Sequence, residues 1–365
     1  MLTALRGLWS PKIIDDVKRL IYKQLGEKNF VITPNGRSAL YSILSSIDLD
    51  PKKNTFLVPS YTCVVVVNSI KAAGFEVIYY DVALDDPVSQ VEHIEKCVDD
   101  TVCGIIVQYV FGFRFNIVKK IKEKFPKIFI VEDCCHEFGS RYFSEDKVIG
   151  TAADASFFSF DHTKYITALG GGLLVIPESS RLKTDVIMRT YFPRRSHFSE
   201  LKIVFQYYTF YHLKLKRKES LTARLIFAFM VRVFGFKPTM QSYELSGEFR
   251  ERDQYNLGLP RLSILCDQLK QIDSIRSYRR ESVRRWVAEY GSEIEYGSDD
   301  TLRILVRKNK ILEKHKRYQG EWFSSPLHPI SYKHIGNFGY KTGSCLNAES
   351  LCGNYVNLPT GYIHA

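Results

Sequence analysis

Seven short apolar runs, "NFVIT", "TFLVP", "EVIYY", "CGIIVQ", "KIFIVED", "ASFFSF" and "GGLLVIP", recur along residues 29–177. Between most of them lie stretches of helical spacing, such as "SALYSILSSI" and "NIVKKIKEKF". Apolar runs of about four to eight residues are typical of strands buried on both faces, and their alternation with helices predicts a largely parallel sheet in an α/β fold. In such sheets ligands gather at the carboxyl ends of the strands, so those ends are where functional side chains are expected.

The rest of the chain has a different character. "SPKIIDDVKRLIYKQLG" predicts a helix capped by Ser10 with Pro11 at its first position, and a tight Asn35–Gly36 turn precedes a helix starting near Arg37. From about residue 255, "NLGLPRLSILCDQLKQIDSIRSYRRESVRRWVAEYG" reads as one long helix, followed by short strands and helices. The expected division is a large domain over 1–193, a basic and aromatic helical insertion over 194–250, and a long helix with a small α+β domain over 251–365.

Composition excludes several classes. The eight cysteines form no C-x-x-C pair and Cys134 adjoins Cys135, which points to reduced thiols, a cytoplasmic setting and no structural metal site. The N-terminus has no sustained apolar stretch of the signal-peptide kind, and no uncharged apolar run reaches the roughly 18 residues of a membrane-spanning helix. The net charge is +11, but residues 194–237 hold ten Lys or Arg against Glu200 and Glu219 and so supply +8 of it. No nucleic-acid motif accompanies those cations, so nucleic acid is not the expected partner.

Three strand-end features suggest chemistry. Gly36-Arg37-Ser38 opens a helix, whose exposed N–H groups suit an anion. Asp133 closes "KIFIVED", where a buried carboxylate needs a cationic partner. Ser159 and Lys164 follow "ASFFSF" and run into Gly170-Gly171-Gly172. A lysine ahead of a glycine turn is ordinarily a solvated side chain. An anion cradle, a carboxylate and a lysine at neighbouring strand ends are, however, what pyridoxal 5'-phosphate (PLP) requires: a phosphate grip, a partner for the pyridine nitrogen and an amine for a Schiff base.

"VEDCCHEFGSRY" and "SFFSFDHTKYITALGGGLLV", with "VPSYTCVVVVNSIKAAGFEVIYYDV", "NGRSAL", "QYNLGLPRLSILCDQLKQID" and "CLNAESLCGNYVNLPTG", closely resemble the DegT/StrS-type sugar aminotransferases, which are PLP enzymes of fold type I. The resemblance covers most of the chain outside about 195–250. It implies transfer of an amino group from L-glutamate to a nucleotide-linked keto-sugar, in lipopolysaccharide, capsule or related glycan pathways. By the same resemblance Lys164 would carry PLP, and Asp133 would pair with the pyridine nitrogen. His136 would lie near the ring hydroxyl, and Ser159 with the N–H groups of Arg37 and Ser38 would bind the phosphate. Asn256 would reach the phosphate of a neighbouring subunit, implying a homodimer with shared sites.

Departures accompany the match. Cys63 stands where many relatives stack an aromatic ring on the pyridine, leaving Tyr61 or tighter packing to compensate. Arg37 replaces a small hydroxyl residue, which would bring a guanidinium near the phosphate, and relatives usually continue past "NLPTGYIHA" into a final helix. Blander roles stay open: a packed His136, a capping Asn256, a strand-bonded Ser159. A regulator or scaffold without activity is the alternative from another class, and a sugar dehydratase is disfavoured because those relatives carry histidine where Lys164 stands. The 194–237 segment suits either packing within the protein or peripheral contact with a membrane.

Overall fold

A computed structural model describes residues 12–361, apart from residues 27, 48–51, 85, 144, 179, 181, 183–191, 217–220, 235–239, 251–253 and 321. The first described helix, α1 (Ile13–Leu25), buries Ile13, Val17, Ile21 and Leu25, spaced four residues apart along one face. Its start lies at Ile13 behind Lys12, and the expected Ser10 cap falls outside the described residues.

The seven apolar runs form one sheet from β1 (Asn29–Thr33), β2 (Thr55–Pro59), β4 (Glu76–Tyr80), β5 (Val102–Gln108), β6 (Phe129–Asp133), β7 (Ala155–Ser159) and β8 (Gly172–Ile176); β3 (Thr62–Cys63) lies outside it. The order is β1-β8-β7-β6-β5-β2-β4, and β8 alone runs against the direction of the other six. Every residue of β2, β6 and β8 is buried. That is the signature of strands covered on both faces, so the fold is α/β with a mostly parallel sheet flanked by helices.

Helix α2 (Gly36–Leu44) is capped by Asn35, whose side chain accepts from the Ser38 N–H at 2.9 Å; the expected turn at Asn35–Gly36 is this cap. Gly172 lets β8 approach it: a Cβ there would stand 2.4 Å from the Asn35 carbonyl carbon. Later elements are α3 (Val64–Ala72), α4 (His197–Lys216), α5 (Leu221–Phe234) and the one-turn α6 (Ser242–Leu245). The expected long helix is two, α7 (Leu259–Lys270) and α8 (Ile272–Tyr290), separated at Gln271 with φ −100° and ψ 11°. The break lets α7 pack on α1 and α4 while Val283, Trp286 and Tyr290 of α8 pack on a second, three-stranded sheet. That sheet comprises β9 (Ile294–Glu295), β10 (Arg303–Arg307) and β12 (Tyr355–Pro359), in the order β12-β10-β9. β11 (Leu327–His328) pairs in parallel with β3, tying the second region to the mouth of the first sheet.

A buried ion cluster makes a further tie. The Arg114 guanidinium lies 2.8 Å from Glu137 and 2.7 Å from Asp300, and the Tyr165 hydroxyl donates to Asp300 at 3.1 Å. Arg279 in turn donates to the Tyr165 carbonyl at 3.1 Å and to Thr360 at 2.9 Å. The residue after Lys164 is thus fixed by both halves of the molecule.

Candidate active site

The carboxyl ends of β5, β6 and β7 and the N-terminus of α2 open onto one cavity of about 560 Å³. Side chains alternate across a strand, so the acidic pair at the end of β6 divides. Glu132 turns into the core, where it accepts from the Tyr109 and Tyr142 hydroxyls and from the Ala152 and Ala153 N–H groups. Asp133 lines the cavity and accepts from the Cys135 N–H at 3.0 Å. Burial pushes its carboxyl above the usual carboxylate range, against the Cys135 hydrogen bonds and the Lys164 charge.

Lys164 lines the same cavity from the turn after β7, where its N–H donates to the Asp161 carbonyl at 3.0 Å. Gly171, at φ +93°, returns the chain into β8 in a conformation that side chains rarely adopt. Ser159 and Arg37 also line the wall. Gly36 brings the start of α2 against it, since a Cβ there would sit 3.1 Å from Cys135 Sγ and 3.4 Å from Ser159 Cβ. The first N–H groups of a helix have no partner within it, so the Gly36 and Arg37 amides are suited to an anion beside Ser159.

Two expected contributors stand elsewhere. Ser38 is fully buried behind the wall, its N–H taken by Asn35 and its hydroxyl donating to Gln254 at 3.3 Å. Asn256 donates to the Ile32 carbonyl at 2.9 Å and accepts from the Leu257 N–H, so it is not brought to its own chain's cavity. The Arg37 guanidinium forms an ion pair with the buried Glu244 of α6 rather than standing free for an anion.

His136 is 6% exposed, and its Nδ1 is buried without a hydrogen-bond partner. Burial, with the Lys164, Arg303 and His328 charges added, holds its pKa well below the usual histidine value, so the ring is neutral. Burial brings His328 down to about 4, with the same Lys164 and Arg303 charges contributing. Cys63 lines the cavity with its thiol pushed up to about 11 by burial, hence protonated. Tyr61 does not take the place of an aromatic ring at Cys63: it is 1% exposed and stacks on Phe323 with ring centroids 4.1 Å apart.

Sequence reasoning missed the opposite wall. Trp322, Phe323 and His328 reach the cavity from the segment before and within β11, while Tyr207 of α4 and Gln241 come from the insertion. The Trp322 ring lies 5.3 Å from Lys164 Nζ, 4.1 Å from the Arg303 guanidinium carbon and 5.0 Å from the His136 ring. The available signal was the rarity of tryptophan, three in the chain, in "GEWFSSPLHP".

These residues fit PLP on the chemistry they offer. Asp133 is a buried carboxylate that gains from a protonated nitrogen, His136 has an unused polar atom, Lys164 supplies an amine, and the start of α2 with Ser159 suits a phosphate.

The profile of the DegT/DnrJ/EryC1/StrS aminotransferase family matches residues 12–200, just over half of the chain. A GDP-perosamine synthase of Escherichia coli O157:H7 is 30% identical over 142 residues, covering 39% of this chain and 38% of that protein. UDP-4-amino-4,6-dideoxy-N-acetyl-beta-L-altrosamine transaminase of Campylobacter jejuni is 24% identical over 184 residues, covering 49% and 48%. The matched stretch therefore spans less than half the length of either relative. Over 98% of this chain the fold is similar to Helicobacter pylori PseC, an aminotransferase involved in the biosynthesis of pseudoaminic acid, with TM-score 0.69, 18% identity and 89% of that chain covered.

Proposed function

This chain belongs to the DegT/DnrJ/EryC1/StrS aminotransferase family of PLP-dependent enzymes, and on that premise we propose that it moves an amino group from L-glutamate to the keto carbon of a nucleotide-linked sugar. The product would feed a surface polysaccharide, lipopolysaccharide or related glycan, in the cytoplasm. The observation that carries the proposal is the convergence of Asp133, Lys164 and the partnerless Nδ1 of His136 on one cavity. The two relatives, named for a GDP-linked and a UDP-linked amino sugar, support the acceptor class.

Bound PLP supplies an electron sink for the carbon that loses a proton. Asp133 would hold a proton on the pyridine nitrogen, a positive charge that would offset the burial acting on its carboxylate. Lys164 Nζ would bind the cofactor and afterwards carry the proton between the cofactor and the sugar carbon. Ser159 and the Gly36 and Arg37 amides would hold the phosphate, and neutral His136 would meet the ring hydroxyl through Nδ1. Cys63 would offer a soft, uncharged surface to the ring. Trp322 and Phe323 would exclude water above Lys164.

The division at 193/194 and 250/251 belongs to the same proposal, as does a homodimer in which Asn256 serves the partner's phosphate. Mixing Lys164→Ala with Asn256→Ala subunits would restore one intact site per heterodimer; verified heterodimers without recovered activity contradict the shared site. The function itself is tested by incubating the PLP-loaded protein with glutamate and a panel of nucleotide keto-sugars, reading 2-oxoglutarate. Release with at least one sugar is expected. Cofactor binding with no release from any of them favours a regulator or scaffold instead.

A further inference from the structure

The insertion splits into an anchored part and an unpartnered part. The first half of α4 is anchored. Glu200 is fully buried and takes two hydrogen bonds from Arg261 of α7, at 2.6 and 2.7 Å. Val204 and Phe210 are buried with it, and Tyr207 faces the cavity with its ring 5.0 Å from that of His162. Four residues after α4 ends, the chain returns as α5, which packs on α4.

Among the described residues, helix α5 leaves an apolar side uncovered. Leu221, Leu225 and Phe229 follow one another at four-residue spacing and are 72%, 63% and 60% exposed, with Ile226 beside them at 46%. On α4, Phe198, Phe205 and Tyr208 are exposed as well. Single exposed apolar residues are ordinary on a protein surface, but a stripe along a helix marks a contact. Within the described residues no helix is long and apolar enough to cross a membrane, and fourteen residues of α5 extend only about 21 Å.

The charge beside the stripe selects its occupant. In the sequence Lys214, Lys216, Arg217 and Lys218 fall within five residues, against Glu219 alone, and Arg232, exposed near the end of α5, follows Leu225 and Phe229 by seven and three residues. A second copy of the hairpin packed on the first would bring one +8 segment against another, whereas an anionic lipid surface complements both the cations and the apolar stripe. We propose that the α4–α5 hairpin docks the protein on anionic phospholipid bilayers. Leu221, Leu225, Ile226 and Phe229 enter the interfacial layer, and the excess cations of the segment, Arg232 among them, meet the headgroups. Because the root of the same hairpin supplies Tyr207 to the cavity wall, docking holds that wall close to the bilayer. The proposal is independent of which reaction the cavity performs.

The test is flotation of the full-length protein with phosphatidylcholine vesicles made with and without phosphatidylglycerol. Binding is expected only with phosphatidylglycerol at low salt and should fall as salt rises, since screening weakens the headgroup contact. Leu225→Glu with Phe229→Glu should reduce the bound fraction about tenfold or more, as should glutamates at Lys214, Lys216, Arg217 and Lys218. The second variant alters charged positions alone, so it reports on docking even where the first fails to fold. Wild-type protein that stays unbound at low salt overturns the proposal. So does a Leu225→Glu, Phe229→Glu variant that floats like wild type, or one that sediments as a smaller species, since the stripe would then be a contact between copies.

Discussion

The floor of the cavity is built from the ends of β6 and β7 and the start of α2, all within residues 36–164, whereas its roof comes from Tyr207, Met240 and Gln241 and from Trp322, Phe323, His328 and Pro329. The floor sits on strands buried on both faces, where backbone pairing fixes each side chain's direction. The roof sits on α4 and on segments held by side-chain contacts, as between Tyr61 and Phe323 and between Arg303 and Trp322. Rigid strands suit groups that must meet one cofactor, and connecting segments suit groups that differ between substrates. The floor should therefore govern whether the reaction runs, and the roof which acceptor it takes.

Asp133→Asn is the sharpest way to break that assignment. Losing one preorganised electrostatic partner should lower turnover by about 100-fold or more while PLP still binds, as read by cofactor absorbance and single-turnover rates. Near-normal turnover would move Asp133 out of the chemistry. Next in size is the buried ion cluster that ties the region of the first sheet to the segment of Asp300 beside the second. Arg114→Leu strands the buried Glu137 and Asp300 carboxylates, and breaking such a cluster costs about 3–5 kcal/mol, measurable by urea unfolding. An unchanged unfolding midpoint would show that the two regions are joined by other contacts.

Trp322→Ala should spare turnover and raise the acceptor KM about tenfold, the loss of a contact acting in ground and transition states alike. A fall in kcat at constant KM would place Trp322 with the floor. The smallest effect is on acid stability. His328 has a folded-state pKa of about 4 against 6.5 for the ordinary group, so the unfolded chain takes up the proton first. Stability should be complete above about pH 6.5 and decline as pH falls toward about 4, and His328→Asn should flatten that decline in urea titrations.

How much was legible in the sequence follows the same division. The strands, the parallel sheet and the placing of Asp133, Ser159 and Lys164 at strand ends follow from local apolar runs, because a strand's period fixes its ends. The break at Gln271 was not legible, since helical spacing runs through it and only packing on α1 and on the second sheet separates the two helices. Trp322 and His328 carry no periodic signal and reach the cavity only through the pairing of β11 with β3. Arg37 showed a cation beside a helix start, but its partner Glu244 lies far along the chain and was invisible without the fold.

The central claim is that Lys164 on the cavity floor is the residue that holds PLP. Borohydride reduction of the PLP-loaded protein followed by peptide mapping tests it directly. The account predicts one reduced pyridoxyl group per chain, on the peptide containing Lys164, and none in Lys164→Ala. A label on another lysine, or no label under saturating PLP, would contradict it.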